Sequence, residues 1–369
     1  MSSTVLVALS GGVDSSVAVA AMVEAGHRVI AVTMRTFCYA EEAATESARS
    51  CCGLEGIADA RAVARTFGVP HHVLDLADLF KARVVDDFVS EYSAGRTPNP
   101  CIRCNTLVKF PALLERFRAL GVEALATGHH ARIERGAGGG VRLRRGADRA
   151  KDQSYVLWGL PNEILGRIHL PIGEMTKAEV RARARELALV TAEKPESQEI
   201  CFVPDGDHGS FVGERHPDAL RPGPIVNPAG ERIGTHRGIA RYTVGQRKGI
   251  GIASSEPLYV RAIDASTGRI TVDREEGLRV DRCWIDEINV LADLPRNTWI
   301  NGVLAQFRVH QDPRPVRVRL EGERSARIEL SSPIVGIAPG QSAVIYRGED
   351  LLLGGVIERA SLLASGPAA

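Results

Sequence analysis

Two sets of residues in this 369-residue chain are of types that do chemistry. The first are cysteines. Residues 97–108 read TPNPCIRCNTLV, so Cys101 and Cys104 form a C-x-x-C, and Cys201 follows far downstream in KPESQEICFV. The thiolate is the attacking form, and a cysteine near Arg103, Lys109 or a helix start holds more of it. Both segments follow proline-containing loops, the kind of place where α/β enzymes keep reactive groups. The second set is SGGVDSS, Ser10–Ser16, between a first strand and a first helix. Gly11 and Gly12 let the backbone approach an anion, and the amides and dipole of the following helix favour pyrophosphate. Ser10, Ser15 and Ser16 add hydroxyl donors, and Asp14 is placed to hold a magnesium ion or to orient the loop.

The loop lacks the Gly-Lys-Ser/Thr ending of a γ-phosphate-transferring P-loop. It resembles instead the loop of the PP-loop ATPase superfamily, whose members cleave ATP between the α and β phosphates and put AMP on an oxygen to make it a leaving group. The C-x-x-C lacks the flanking aromatic and small βαβ context of a thioredoxin-like pair, and no second C-x-x-C completes a structural zinc set. An iron-sulfur cluster held by Cys101, Cys104 and Cys201, with one iron site open, remains an alternative, as does a core role for Cys201 alone. The adjacent Cys51 and Cys52, with Cys38 and Cys283, read as structural.

These residues need elements to position them. TVLVALS, HRVIAVTM, HHVLDL and EALATGH read as strands, and SSVAVAAMVEAG, IADARAVARTFG and LVKFPALLERFRALG as helices between them. That rhythm predicts a doubly wound parallel α/β sheet with ligands at the carboxyl ends of its strands. Thr176 and Glu179 announce a further helix by a capping box. After about residue 205 the texture turns to glycine, proline and short alternating runs. Beyond Cys283, INGVLAQFRV, PVRVRLEG, SARIELS, QSAVIYRG and LLLGGVIERA follow at strand length, which predicts a small closed β-barrel. Three domains are expected: 1–204 catalytic, 205–282 central, 283–369 barrel.

Composition sets bounds. With 44% hydrophobic and 25% charged residues and a formal net charge of +1, this is an ordinary globular chain. Scattered cysteines argue for reduced thiols and a cytoplasmic location. The N-terminal apolar run is short and has no basic segment before it, and no run approaches a membrane span, so no membrane partner is expected. Charge is uneven locally. Residues 132–151 hold Arg132, Arg135, Arg142, Arg144, Arg145, Arg149 and Lys151 against Glu134 and Asp148, and residues 237–248 hold Arg237, Arg241, Arg247 and Lys248 with no acid. Each run reads as a solvated face or as part of a nucleic-acid footprint.

Taken in order, SGGVDSS, CCG followed by IADARAVA, the NPxxxCN element, ATGHHAR at 126, KDQSYVLW at 151, SQEICFV at 197, YTVGQRKGIGI at 242 and PGQSAVIY at 339 resemble the tRNA-specific 2-thiouridylases over nearly the whole chain. The resemblance implies an adenine nucleotide alpha hydrolase-like sheet, a small tRNA-contacting central domain and a C-terminal β-barrel. It implies ATP held by Ala8, Leu9, Ser10, Gly11, Gly12, Val13, Asp14, Ser15, Met34 and Gly128, with Mg2+. Cys201 falls where the family carries a persulfide and Cys104 where it has its nucleophile. Asn99, Pro100 and Cys101 fall in its target-base segment. His129, Lys151, Asp152, Gln153, Arg308, Val309 and Gln341 fall at its tRNA contacts. Many members have aspartate at the place of Cys101, so here a third redox thiol or a [4Fe-4S] cluster enters as an alternative. The implied partners are tRNA and a sulfur-relay protein or cysteine desulfurase.

The implied reaction is 2-thiolation of the wobble uridine of lysine, glutamate and glutamine tRNAs, through adenylation of the C2 oxygen. The competing readings are a small-molecule PP-loop ligase or amidotransferase, which needs neither cysteine pair nor barrel, and an RNA-binding module with a decayed nucleotide site.

Overall fold

A computed structural model describes residues 3–37, 54–136, 139–195, 200–203 and 205–363. Cys38, Cys51 and Cys52, and the SQE of the SQEICFV motif, lie outside them. The strands are β1 Thr4–Ala8, β2 Arg28–Arg35, β3 His71–Asp75, β4 Ala124–Ala126, β5 Ala131–Arg135, β6 Val141–Arg145, β7 Ile168–His169, β8 Gly223–Val226, β9 Arg232–His236, β10 Tyr259–Asp264, β11 Arg269–Asp273, β12 Arg279–Val290, β13 Ile300–Gln306, β14 Arg314–Glu321, β15 Ser325–Val335, β16 Ser342–Arg347 and β17 Asp350–Leu362. The α-helices are α1 Val13–Glu24, α2 Leu54–Thr66, α3 Ala77–Phe80, α4 Asp86–Ser93, α5 Pro100–Arg103, α6 Phe110–Arg116, α7 Asn162–Leu165, α8 Lys177–Glu186 and α9 His208–Arg215.

Two compact units emerge. The first comprises Met1–Val84, Cys101–Gly206 and Glu349–Leu351. Its sheet runs β3-β2-β1-β4-β7, parallel throughout. β1 is an apolar run because both faces are covered. Val5, Val7 and Leu9 pack with Ala18, Val19 and Met22 of α1 and Ala60 and Val63 of α2, while Val13 and Val17 pack with Ile172 and with Val180 and Ala184 of α8. β1 lies between β2 and β4, so the chain leaves it to opposite sides and a crevice opens at its carboxyl end. SGGVDSS occupies that place.

The basic run at 132–151 folds into the hairpin β5–β6, with Ala131 opposite Arg145. Most of its arginines pair with acids of the same unit, while Arg135 donates to the Ile168 carbonyl at 2.7 Å. Arg132 pairs with Glu174 and Glu349, Arg142 and Arg144 with Glu134 and Asp350, Arg149 with Glu349, and Arg145 with Asp152 at 3.7 Å. Glu174, Asp152, Glu349 and Asp350 thus offset most of the charge excess counted along the sequence, and Arg142 and Arg149 remain about half exposed.

The second unit comprises Val85–Pro100, Asp207–Gly348 and Leu352–Ala369. A four-stranded sheet, β10-β11-β8-β9, surrounds Ile225, Tyr242, Ile250, Val260 and Ile270. Six strands then form a barrel in the order β12-β15-β14-β13-β16-β17, closed by pairing of β12 with β17. Its core holds Val303, Val318, Leu320, Ile328, Ile345, Leu353 and Ile357. The sequence strands from residue 300 onward reappear here. The closing strand β12 was not among them, because bulges at Val280/Arg282, Trp284/Ile285 and Asp286/Asn289 break its alternation. Cys283 is fully buried in this core, and burial pushes its thiol up to about 12, which makes it structural.

Candidate active site

The nucleotide loop is built by the turn from β1 into α1. Gly11 sits at φ +77, and a Cβ there would fall 2.2 Å from the Gly56 carbonyl oxygen of α2, so only glycine fits between the loop and that helix. Gly12 caps α1 with no side-chain hydrogen bond, which leaves the first amides of the helix aimed at whatever occupies the crevice. Ser15 and Ser16 each donate to the Gly12 carbonyl at 2.9 Å, and Thr191 donates to Ser16 at 2.9 Å. These bonds fix the loop's shape. Met34 stands half-buried near the carboxyl end of β2.

Asp14 faces two nitrogen groups of different kinds, an ammonium and an imidazole. Lys177 Nζ donates to both carboxylate oxygens, at 2.8 and 2.7 Å, and His130 Nε2 lies 3.3 Å from Oδ1. Burial would raise the Asp14 carboxyl, but the hydrogen bonds from His130 and Lys177 and the lysine's charge outweigh it and hold it below the usual carboxylate range. Lys177 is held in turn. It opens α8, whose Thr176–Glu179 capping box is formed, and its backbone amide donates to Asp148 at 2.9 Å. With the lysine on both of its oxygens, Asp14 as placed orients the loop rather than standing open to an ion.

Gly128 closes the loop from the β4 side. A Cβ there would land 2.6 Å from the Asp14 carbonyl carbon and the Ser15 nitrogen. Gly128→Ala is therefore expected to push the start of α1 off its position and to weaken ATP binding by about 1–3 kcal/mol, roughly five- to 150-fold. Equilibrium binding of ATP checks this, with circular dichroism to show that the fold survives.

Several predicted tRNA contacts prove to be tied into the unit's own bonding. Gln153 accepts from the His130 amide at 2.9 Å, and its own amide donates to the His130 carbonyl at 2.8 Å. Asp152 accepts from the amides of Gly146 and Ser154, both at 3.0 Å. The motifs KDQS and GHH are thus one structural knot. His129 Nδ1 meets the Thr127 hydroxyl at 2.7 Å, and its ring stacks on Phe110 at 5.9 Å. Burial, with Lys109 nearby, lowers its pKa well below the ordinary value, so the ring is neutral at pH 7.

The C-x-x-C starts at α5. Cys101 is exposed within it, and Cys104 is half-buried at the start of a π-helical turn, Cys104–Lys109. Such turns are rare and recur at functional sites. Asn105 anchors the turn through Nδ2, which donates to the Val156 carbonyl at 3.0 Å, while its buried Oδ1 has no hydrogen-bond partner. Cys201 is half-buried. Its neighbour Phe202 is fully buried against Phe80 of α3, rings 5.6 Å apart, and α3 packs on the π-helical turn. The Cys201 segment and the Cys104 turn therefore share α3 as a common support. The iron-sulfur expectation fares differently: among the described residues no three His, Cys, Asp or Glu side chains gather in a way that could hold a metal, so Cys101, Cys104 and Cys201 as placed do not fit a cluster.

In the second unit, Asn99 and Pro100 end a loop that the barrel holds. Thr97 donates its amide to the Pro339 carbonyl at 2.8 Å, and Gln341 Nε2 donates to the Thr97 carbonyl at 2.9 Å. Gln341 thus supports the loop that ends at Asn99 and Pro100 from behind. Arg308 donates to the Gly336 carbonyl and threads between Gly245 and Gly336, while Val309 is exposed. Sequence reasoning missed Lys177, His130 and Asp148. The capping box marked Lys177 as the first residue of a helix, but no local signal revealed that the helix would point at Asp14.

Comparison with known proteins agrees with this geometry. Family models described as the tRNA methyl transferase HUP domain, PRC-barrel domain and aminomethyltransferase beta-barrel domain match residues 3–205, 209–274 and 280–357. The tRNA-specific 2-thiouridylase MnmA of Chloroflexus aurantiacus is 44% identical over 361 residues, 96% of this chain and 98% of that protein. Its counterpart from Geotalea uraniireducens is 45% identical over 358 residues, 96% and 95% of the two chains. No described helix is long and apolar enough to cross a membrane. With an intact PP-loop, both cysteine segments and end-to-end similarity, the chain belongs to the tRNA-specific 2-thiouridylase family of tRNA sulfurtransferases.

Proposed function

We propose that this enzyme replaces the C2 oxygen of the wobble uridine in lysine, glutamate and glutamine tRNAs with sulfur, in the cytoplasm, using ATP and a persulfide on Cys201. The observation that carries the reading is the joint presence of an anion-ready loop, with uncapped α1 amides, and two partly exposed thiols on a shared support. Small-molecule PP-loop ligases need the first and not the second.

The uridine leaves the anticodon stack, as chemistry on a base requires. Its C2 oxygen attacks the α-phosphate of ATP and pyrophosphate departs. Loop amides stabilise the charge that develops. A sulfur-relay protein or cysteine desulfurase has by then left sulfane sulfur on Cys201. That terminal sulfur attacks C2, and AMP leaves with the former oxygen. The Cys104 thiolate then attacks Cys201 Sγ, which frees the thiocarbonyl and leaves a Cys104–Cys201 disulfide for a dithiol to reduce. Such a bridge requires the two Cα atoms to come within about 7 Å during the cycle. Lys151, with the knot that holds it, and the loops bearing Asn99, Arg308 and Val309 supply the contacts to tRNA.

The test is thiolation of an unmodified glutamate-tRNA transcript with ATP, magnesium and a persulfide donor. One AMP and one pyrophosphate per 2-thiouridine are expected. ATP turnover indifferent to tRNA would overturn the reading.

A further inference from the structure

On the outward face of the barrel, strand register builds a row that this chemistry does not use. Arg319 of β14 stands opposite Arg327 of β15, Arg327 opposite Trp284 of β12, and Trp284 opposite Arg359 of β17. The row continues at its other end to Trp299, just before β13. The guanidinium carbons of Arg317, Arg319 and Arg327 lie 4.5, 5.8 and 5.6 Å from its ring centroid. Over Trp284 sit Arg359 at 3.6 Å and Arg327 at 5.9 Å. The alternate positions Val318, Leu320, Ala326, Ile328, Cys283 and Ile285 fill the core, so by the two-residue period this row faces outward.

Two features separate it from an ordinary solvated sheet face. Like charges directly opposed across strands destabilise a sheet, yet Arg319 and Arg327 are so placed. Glu321 and Glu329 offset part of that charge through Arg319, Arg317 and Arg327, whereas Arg359 is exposed at the row's end. In addition, a guanidinium laid on an indole is already oriented, with its fork of N–H donors in the plane that suits phosphate. From β14 to β17 the row crosses three strand spacings, roughly 14 Å, long enough for more than one phosphate. The indole faces are covered by guanidinium groups and offer a protein partner no open apolar anchor.

We propose that this arginine–tryptophan row binds the sugar-phosphate backbone of tRNA, as a site distinct from the loops bearing Arg308, Val309 and Gln341. The proposal rests on tRNA being the substrate. Phosphate contacts of this kind position an RNA without reading its sequence.

The test compares the full-length protein with an Arg319→Gln/Arg359→Gln variant by filter binding to full-length tRNA over a range of salt. Affinity is expected to fall roughly tenfold, and the slope of log affinity against log salt to shrink by about two, one for each lost phosphate contact. Thermal stability, ATP binding and 2-thiouridine formation at saturating tRNA stay unchanged. A Trp158→Phe background leaves Trp284 and Trp299 as the only tryptophans, and tRNA is expected to change their emission. Unchanged affinity and slope, or emission that responds to poly-L-glutamate and not to tRNA, overturns the proposal. Failure of the parent protein to form 2-thiouridine while row-dependent binding persists would sink the functional reading and leave this one standing.

Discussion

Cys104→Ser and Cys201→Ser are each expected to lose 2-thiouridine formation by about a thousandfold or more, while tRNA and ATP binding hold. The size follows from the role: a serine hydroxyl neither carries a persulfide nor ionises near neutral pH, so each change removes a bond-forming atom rather than a contact. The two defects differ in kind. Cys201→Ser cannot be charged by a labelled persulfide donor. Cys104→Ser still takes up label and still releases pyrophosphate with tRNA, because it lacks only the attack that frees the thiocarbonyl. Cys101→Ser is expected to keep activity within about tenfold, since the persulfide route asks nothing of a third thiol. Anaerobic and aerobic assays of the three variants check this. Loss of activity in Cys101→Ser as severe as in the other two would return the cysteine trio to a joint role.

How far the sequence reached depended on the range of the forces involved. The parallel sheet was legible because its strands are apolar runs such as TVLVALS, flanked by helices of the right length, and burial on both faces demands that pattern. The nucleotide loop was legible because its glycines, serines and position act locally. What escaped depends on residues brought together from afar. The arginines of 132–149 read as a solvated face or as part of an RNA footprint, and nothing local announced that Glu174, Glu349 and Asp350 would pair with them. Asp152, Gln153 and Gln341 matched positions of tRNA contact, yet their side chains bond to the Gly146 amide, the His130 amide and the Thr97 carbonyl. At these positions resemblance identifies residues that matter without telling whether they touch RNA or hold the residues that do. The π-helical turn at Cys104 also left no periodic signal, for one inserted residue shifts a helix by a step that flanking sequence does not betray.

Lys177→Met is expected to cut tRNA-dependent AMP formation roughly a hundredfold and to weaken ATP binding, although the residue belongs to no recognised nucleotide motif. The lysine neutralises Asp14 at the mouth of α1, where its side chain is 12% exposed and the carboxylate 31%. Without the ammonium, an anion would face the incoming phosphates across ground shielded from water. Burial would then be opposed by His130 alone, and the Asp14 carboxyl that His130 and Lys177 now hold below the usual range would rise. The pH dependence has a definite sign. In the native protein the depressed carboxyl contributes stability that is present above its unfolded value, about 3.9, and is lost as pH falls through the lower folded value. ATP binding by the native protein is therefore expected to show no titration from Asp14 between pH 6 and 9, whereas Lys177→Met begins to recover affinity as pH falls and the carboxyl protonates. The double variant Asp14→Asn/Lys177→Met removes both charges and is expected to do less damage than the two single changes summed, the mark of a coupled pair. Isothermal titration of ATP across pH, with the four proteins of that cycle, separates this from a purely structural role for Lys177, which would lower stability and leave the pH profile of ATP binding unmoved.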